Sequence, residues 1–89
     1  MTNTDMINAK EIAKKFIRKE VVLDMQLDKI KADYETANIN ERTELLVEAK
    51  VNRASYDAYR DMVSDLVASP KWRILTYREI KVEMMIESL

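Results

Sequence analysis

The sequence predicts an all-α fold: a long antiparallel helical hairpin followed by a third C-terminal helix, with coiled-coil-like packing. Three observations lead there. Residues 4–37 and 41–68 both carry apolar residues in alternating steps of three and four, the spacing that keeps one stripe of a helix facing a partner. The chain has no Gly and a single Pro, so neither stretch contains a residue that breaks a helix. Asn38-Ile39-Asn40 interrupts the pattern with turn-forming residues, and so short a connection forces its two helices antiparallel. The expected helices are about 5–37, 41–68 and 70–88, in a single domain over 1–89.

The first helix is the longest. Its seam reads Met6, Ala9, Ala13, Phe16, Glu20, Leu23, Leu27, Ile30, Tyr34 and Ala37. At 1.5 Å per residue it would span ~50 Å, too long to be enclosed in a ball of this size, so another element must run beside it. Thr4 or Asp5 could cap its start, or Asn8 with Glu11 three residues on. Glu20 is the flaw in the seam. Either it sits at the edge and reaches water or an Arg, or it forms a buried ion pair that fixes register or lines a pocket. Ile12, Ile17, Val21, Val22 and Met25 lie off the main seam and widen the apolar face.

Asn38 and Glu41 read as a capping box for the second helix. That helix's seam is Leu45, Ala49, Asn52, Tyr56, Tyr59, Val63 and Leu66. Folding at residues 38–40 places Leu45 near Tyr34, Asn52 near Ile30 and Leu66 near Phe16. A polar residue such as Asn52 in an apolar seam commonly sets register or oligomeric state. Val47, Val51, Ala54, Ala58 and Met62 form a second stripe. One hairpin cannot bury two faces on each helix, so the remainder needs the C-terminal segment or another copy of the chain.

Ser69-Pro70 ends the second helix and starts a third, with Ser at the N-cap and Pro at the first helical position. Over 78–86 a strand is the alternative. Ile80, Val82, Met84 and Ile86 alternate with Lys81, Glu83, Met85 and Glu87.

Composition narrows the function. The absence of Cys and His excludes disulfides, thiolate nucleophiles and imidazole chemistry, and the absence of Gly excludes phosphate-cradling glycine loops. With 47% hydrophobic and 35% charged residues the chain is too apolar for a disordered segment. No apolar run approaches the ~20 residues of a membrane span, and Met1-Thr2-Asn3-Thr4-Asp5 lacks the features of a signal peptide, which points to a cytoplasmic protein without membrane contact. A small chain with no covalent or metal staple commonly gains stability by self-association, so a homodimer or larger assembly is expected.

The net charge of −1 hides an uneven distribution. Lys10, Lys14, Lys15, Arg18 and Lys19 crowd into ten residues, and Lys10, Lys14 and Arg18 share a helix face. The hairpin would bring Arg60, Lys71, Arg73 and Arg78 to the same pole, while Asp33, Glu35, Glu41, Glu44 and Glu48 lie at the other. Such a pole is either a solvated surface or a site for phosphates or an acidic partner. Trp72, between Lys71 and Arg73, is either a staple that docks the third segment or an interface anchor. The methionines read as adaptable packing.

Asp57, Asp61 and Asp65 form one carboxylate ladder, and Glu41, Glu44 and Glu48 form another. Carboxylates on neighbouring helices can hold Mg²⁺ for work on phosphates. Glu41-Arg42-Thr43-Glu44 is similar in a generic way to one acidic motif of the helical MazG-type nucleotide pyrophosphatases. Asp57 to Asp61 has the wrong spacing for the second, and Arg53, Tyr56 and Arg60 between the ladders mark them as surface charge.

The sequence therefore points to a non-enzymatic interaction or regulatory protein, an inhibitor or adaptor, that self-associates and binds a partner protein. It carries no catalytic, metal or cofactor constellation. Core and self-association would rest on Phe16, Leu23, Leu27, Ile30, Tyr34, Leu45, Tyr56, Tyr59, Val63 and Leu66. Partner or anion binding would rest on Lys10, Lys14, Lys15, Arg18, Lys19, Lys71, Trp72, Arg73 and Arg78. The alternative is a binding module for an anionic ligand, nucleotide or nucleic acid, at the basic pole; a Mg²⁺-dependent phosphohydrolase is a distant third. Small size and this composition are compatible with phage or plasmid accessory proteins.

Overall fold

Uninterrupted helix formers over the first third of the chain produce α1, Asn3–Thr36, which is followed by α2, Ile39–Leu66, and α3, Pro70–Glu87. The computed structural model describes residues 3–89. Thr4, Asp5 and Asn8 all lie inside α1, so none of them is its N-cap. Only Ala37 and Asn38 join the first two helices, and Ile39 and Asn40 already belong to α2. The Asn38 Oδ1 atom accepts a hydrogen bond from the Glu41 backbone N–H at 2.9 Å. Its Nδ2 donates to Glu41 Oε1 at 2.7 Å, so the box closes between two side chains rather than onto the backbone. At the other junction the Trp72 N–H donates to Ser69 Oγ at 3.3 Å, with Pro70 beginning the helix as its fixed φ favours.

The segment 78–86 is helix, and no strand occurs among the described residues. Its buried side makes the reason visible. Thr76 and Ile80 are buried and Arg73, Tyr77 and Met84 are half-buried, at steps of three and four, whereas Val82 and Ile86 face solvent. A strand would also have found no partner within the chain.

α2 folds back along α1. The Phe16 and Tyr59 rings meet at 5.8 Å between centroids, and Asn52 Nδ2 donates to the Leu23 backbone O at 2.8 Å. Near the turn, Arg42 lies over the Tyr34 ring at 4.9 Å. The expected register placed Asn52 by Ile30 and Phe16 by Leu66. Each direct contact is made seven residues from the expected one, although Ile30 still lines a groove with Asn52 and Leu66 packs on the same core as Phe16. A slip of seven residues keeps the same stripe against the same stripe, so periodicity alone does not choose between the two.

α3 crosses α1 rather than running beside it. Trp72 lies beside Lys10, Tyr77 bonds Asp24, and Glu87 returns to Arg18. The core therefore sits in one half of the molecule. Ala13, Ile17 and Val21 from α1 meet Val63 and Val67 and then Ile80 from α3, with Phe16, Leu66, Trp72, Tyr77 and Met84 packed around them. Ile17 and Val21, which the sequence placed off the main seam, are wholly buried, because two helices cover α1 here. Full burial of such side chains contributes about 1.5–3 kcal/mol each. Leu23, Leu27, Ile30, Tyr34 and Leu45, expected as core, are only half-buried, as are Tyr56 and Tyr59. The molecule measures 55 × 29 × 17 Å.

Candidate functional site

Where the three helices meet, one carboxylate ties them together. Asp24 on α1 accepts from Arg53 Nη2 of α2 at 2.7 Å through one oxygen, and from the Tyr77 hydroxyl of α3 through the other. Arg53 also donates to Asn52 Oδ1 from both Nε and Nη2, each at 3.1 Å, and stacks on Tyr56 at 4.3 Å from the ring centroid. In the sequence, Arg53 serves only as a sign that the carboxylate ladders are surface charge, and Asp24 has no role. An Asp with an Arg and a Tyr distant in the chain leaves no periodic signal, so only the fold reveals them.

Glu20 lies one turn below this node and is wholly buried, with neither carboxylate oxygen hydrogen-bonded. The edge position reaching water is therefore wrong, and among the described residues Glu20 forms no ion pair either. Crossing by α3 seals a position that a two-helix seam would have left at its margin. Burial pushes the Glu20 carboxyl above its ordinary range; Arg73 draws it back, Asp24 pushes it further up, and Arg60 opposes. Burial, then the Asp24 hydrogen bond, also pushes the Tyr77 phenol well above its ordinary value. Tyr56 is raised as well, chiefly by burial.

Two concave surfaces flank the node. The first is a groove of about 510 Å³ between the distal parts of α1 and α2, floored by Leu23, Ile30, Val47 and Val51 and bordered by Lys29, Asp33 and Glu48. Val47 and Val51 are 58% and 62% exposed, unusually open for β-branched residues beside a seam. The second is a hollow of about 390 Å³ where α3 leaves the hairpin, lined by Asp24, Tyr56, Arg73, Ile74, Tyr77, Arg78 and Lys81.

The predicted basic pole is divided. Lys14 pairs with Glu11 at 3.6 Å and Arg18 with Glu87 at 3.0 Å, both in exposed positions. Lys10 lies 6.0 Å from the Trp72 ring centroid, and Trp72 packs half-buried on the core, which matches a staple rather than an exposed anchor. Lys15, Lys19 and Lys71 are exposed. Arg73 and Arg78 do converge, joined by Lys81, and Arg60 shares a neighbouring hollow with Arg73. At the turn, Asp33, Glu41, Glu44 and Glu48 line an acidic depression, as the charge pattern indicated. Asp57, Asp61 and Asp65 are exposed, and among the described residues no group of acidic side chains, those at the turn included, is placed to hold a metal ion. No described helix is long and apolar enough to cross a membrane.

No family model, curated protein or solved structure matches the chain.

Proposed function

We propose that this is a non-enzymatic helical interaction protein, cytosolic and regulatory in character, which works as a self-associated assembly. The observation that supports this best is the distal groove. Its floor of Leu23, Ile30, Val47 and Val51 is left open because α3 crosses the other half of the molecule. The occupant we assign to it is a second copy of the chain. A two-fold contact brings one surface against itself, so it needs both signs of charge on the same patch. The groove carries Lys29 on one wall and Asp33 and Glu48 around it, so Lys29 of each copy would meet a carboxylate of the other. Closure would complete a four-helix arrangement around a floor that one hairpin leaves wet.

A protein partner would then meet the outward face of α3, where Leu75, Val82 and Ile86 are exposed along one side. An apolar helix stripe of this spacing is the usual element of helix-in-groove recognition.

Light scattering on a sizing column, across a range of protein concentrations, tests the assembly. A dimer or larger species is expected, and Val47→Glu with Val51→Glu should return it to a monomer of unchanged helix content. Both positions are exposed, so the substitutions leave the core intact. A wild-type monomer at all concentrations would reject the proposal, as would an assembly that survives both changes.

A further inference from the structure

The hollow beside α3 has a chemistry that the distal groove lacks. Arg73, Ile74, Tyr77, Arg78 and Lys81 form one face of α3, at positions one turn apart, and they look across to Asp24 and Tyr56. Asp24 is already held by Arg53 and Tyr77, so its charge is engaged on the side of the hairpin. The side chains of Arg78, Lys81 and Arg73 make no hydrogen bond or ion pair among the described residues, unlike Lys14, Arg18 and Arg53, which each hold a carboxylate. Three cations thus converge on one concave surface with their donors unused. Tyr56 adds a phenol that bonds nothing else among the described residues.

We infer that this hollow binds a small phosphate-bearing anion. Guanidinium groups recognise phosphate oxygens with paired N–H donors, and Lys adds a point charge. The volume of about 390 Å³ is within the range of small-ligand sites. A polyphosphate or a nucleotide would present the same charged group to Arg73, Arg78 and Lys81, the nucleotide adding a ring that can stack on a tyrosine. The site is separate from the distal groove and does not need a second copy of the chain. It keeps Arg73 and Arg78 of the basic pole read from the sequence, adds Lys81, and leaves the lysines of α1 outside.

Titration of the full chain with inorganic pyrophosphate and, separately, with adenosine diphosphate at low ionic strength, followed by two-dimensional NMR, tests this site. Saturable shifts centred on residues 73–81 and Tyr56 are expected. Arg78→Gln with Lys81→Gln, both at exposed positions, should weaken binding about tenfold or more, since each removes a charge-assisted contact. Lys14→Gln, Lys15→Gln and Lys19→Gln together should leave it unchanged. Tighter binding of the nucleotide would identify a ring-bearing ligand, and equal binding a bare polyphosphate; both support the site. Shifts that never saturate would overturn it. So would undiminished binding in the α3 variant, or equal loss in the α1 variant.

Discussion

Along the first part of α1 the helix has two neighbours; along the second part it has one. Where α2 and α3 both press on it, Ala13, Ile17 and Val21 lose all contact with water, and even Glu20 is sealed in. Where α2 alone lies beside it, Leu23, Leu27 and Ile30 stay half-exposed although they belong to the better heptad stripe. The difference teaches that periodicity marks which residues face a partner, while the number of partners decides how deeply they are buried. The distal half has the pattern of a core without the third element that would complete it.

Core truncation should separate the halves most sharply. Ile17→Ala is expected to cost about 2–5 kcal/mol, the range for emptying a closed core site. Ile30→Ala, measured on dilute protein, should cost about 1 kcal/mol, since its side chain is already half in water. Chemical denaturation of the two variants checks this, and equal losses would break the comparison.

Next in size is Glu20→Gln. In the folded state Glu20 keeps its proton to a higher pH than the ordinary 4.5 of a free Glu. From 4.5 upward to the raised folded value, the folded protein binds more protons than the unfolded chain, so its stability falls as pH rises through that window. Below the window the carboxyl is neutral in both states and contributes no pH dependence. Gln keeps the shape without the charge. It should stabilise the protein at neutral pH, because it removes the cost of ionising a carboxyl that burial holds protonated to higher pH. The advantage should vanish in acid. Melting temperatures of both proteins across the pH range test the sign; a variant less stable at neutral pH would mean that the ionised carboxylate is compensated.

The smallest expected effect concerns the element that makes the halves unequal. Ser69→Ala removes the α3 cap and should cost about 1 kcal/mol. Amide exchange should quicken in α3 and around Asp24, with little change near the turn at residues 37–38.

Much of the fold was legible in the residues themselves. Three helices, their order and their junctions followed from heptad spacing, from Asn38 with Glu41, and from Ser69-Pro70, because caps are local chemistry. The register was not legible, since a seven-residue slip preserves the stripe. Nor was the depth of Glu20, which depends on a helix more than fifty residues further along the chain. Among the cations, charge density in sequence pointed to Lys10–Lys19, yet Glu11 and Glu87 occupy two of them, and Trp72 lies by a third. In the cluster that does converge, Arg73 and Arg78 were named from the sequence, whereas Lys81 joins them only when that face of α3 is set against Asp24 and Tyr56.

The central claim is that the distal half is completed by a second copy of the chain. Hydrogen exchange of the same protein at low and high concentration tests it most directly. We expect amides of residues 23–33 and 44–55 to gain protection on concentration, while those around Ile17, Val63 and Ile80 remain as they were. Protection that does not depend on concentration in the distal segments, or that rises equally in both halves, would contradict the account.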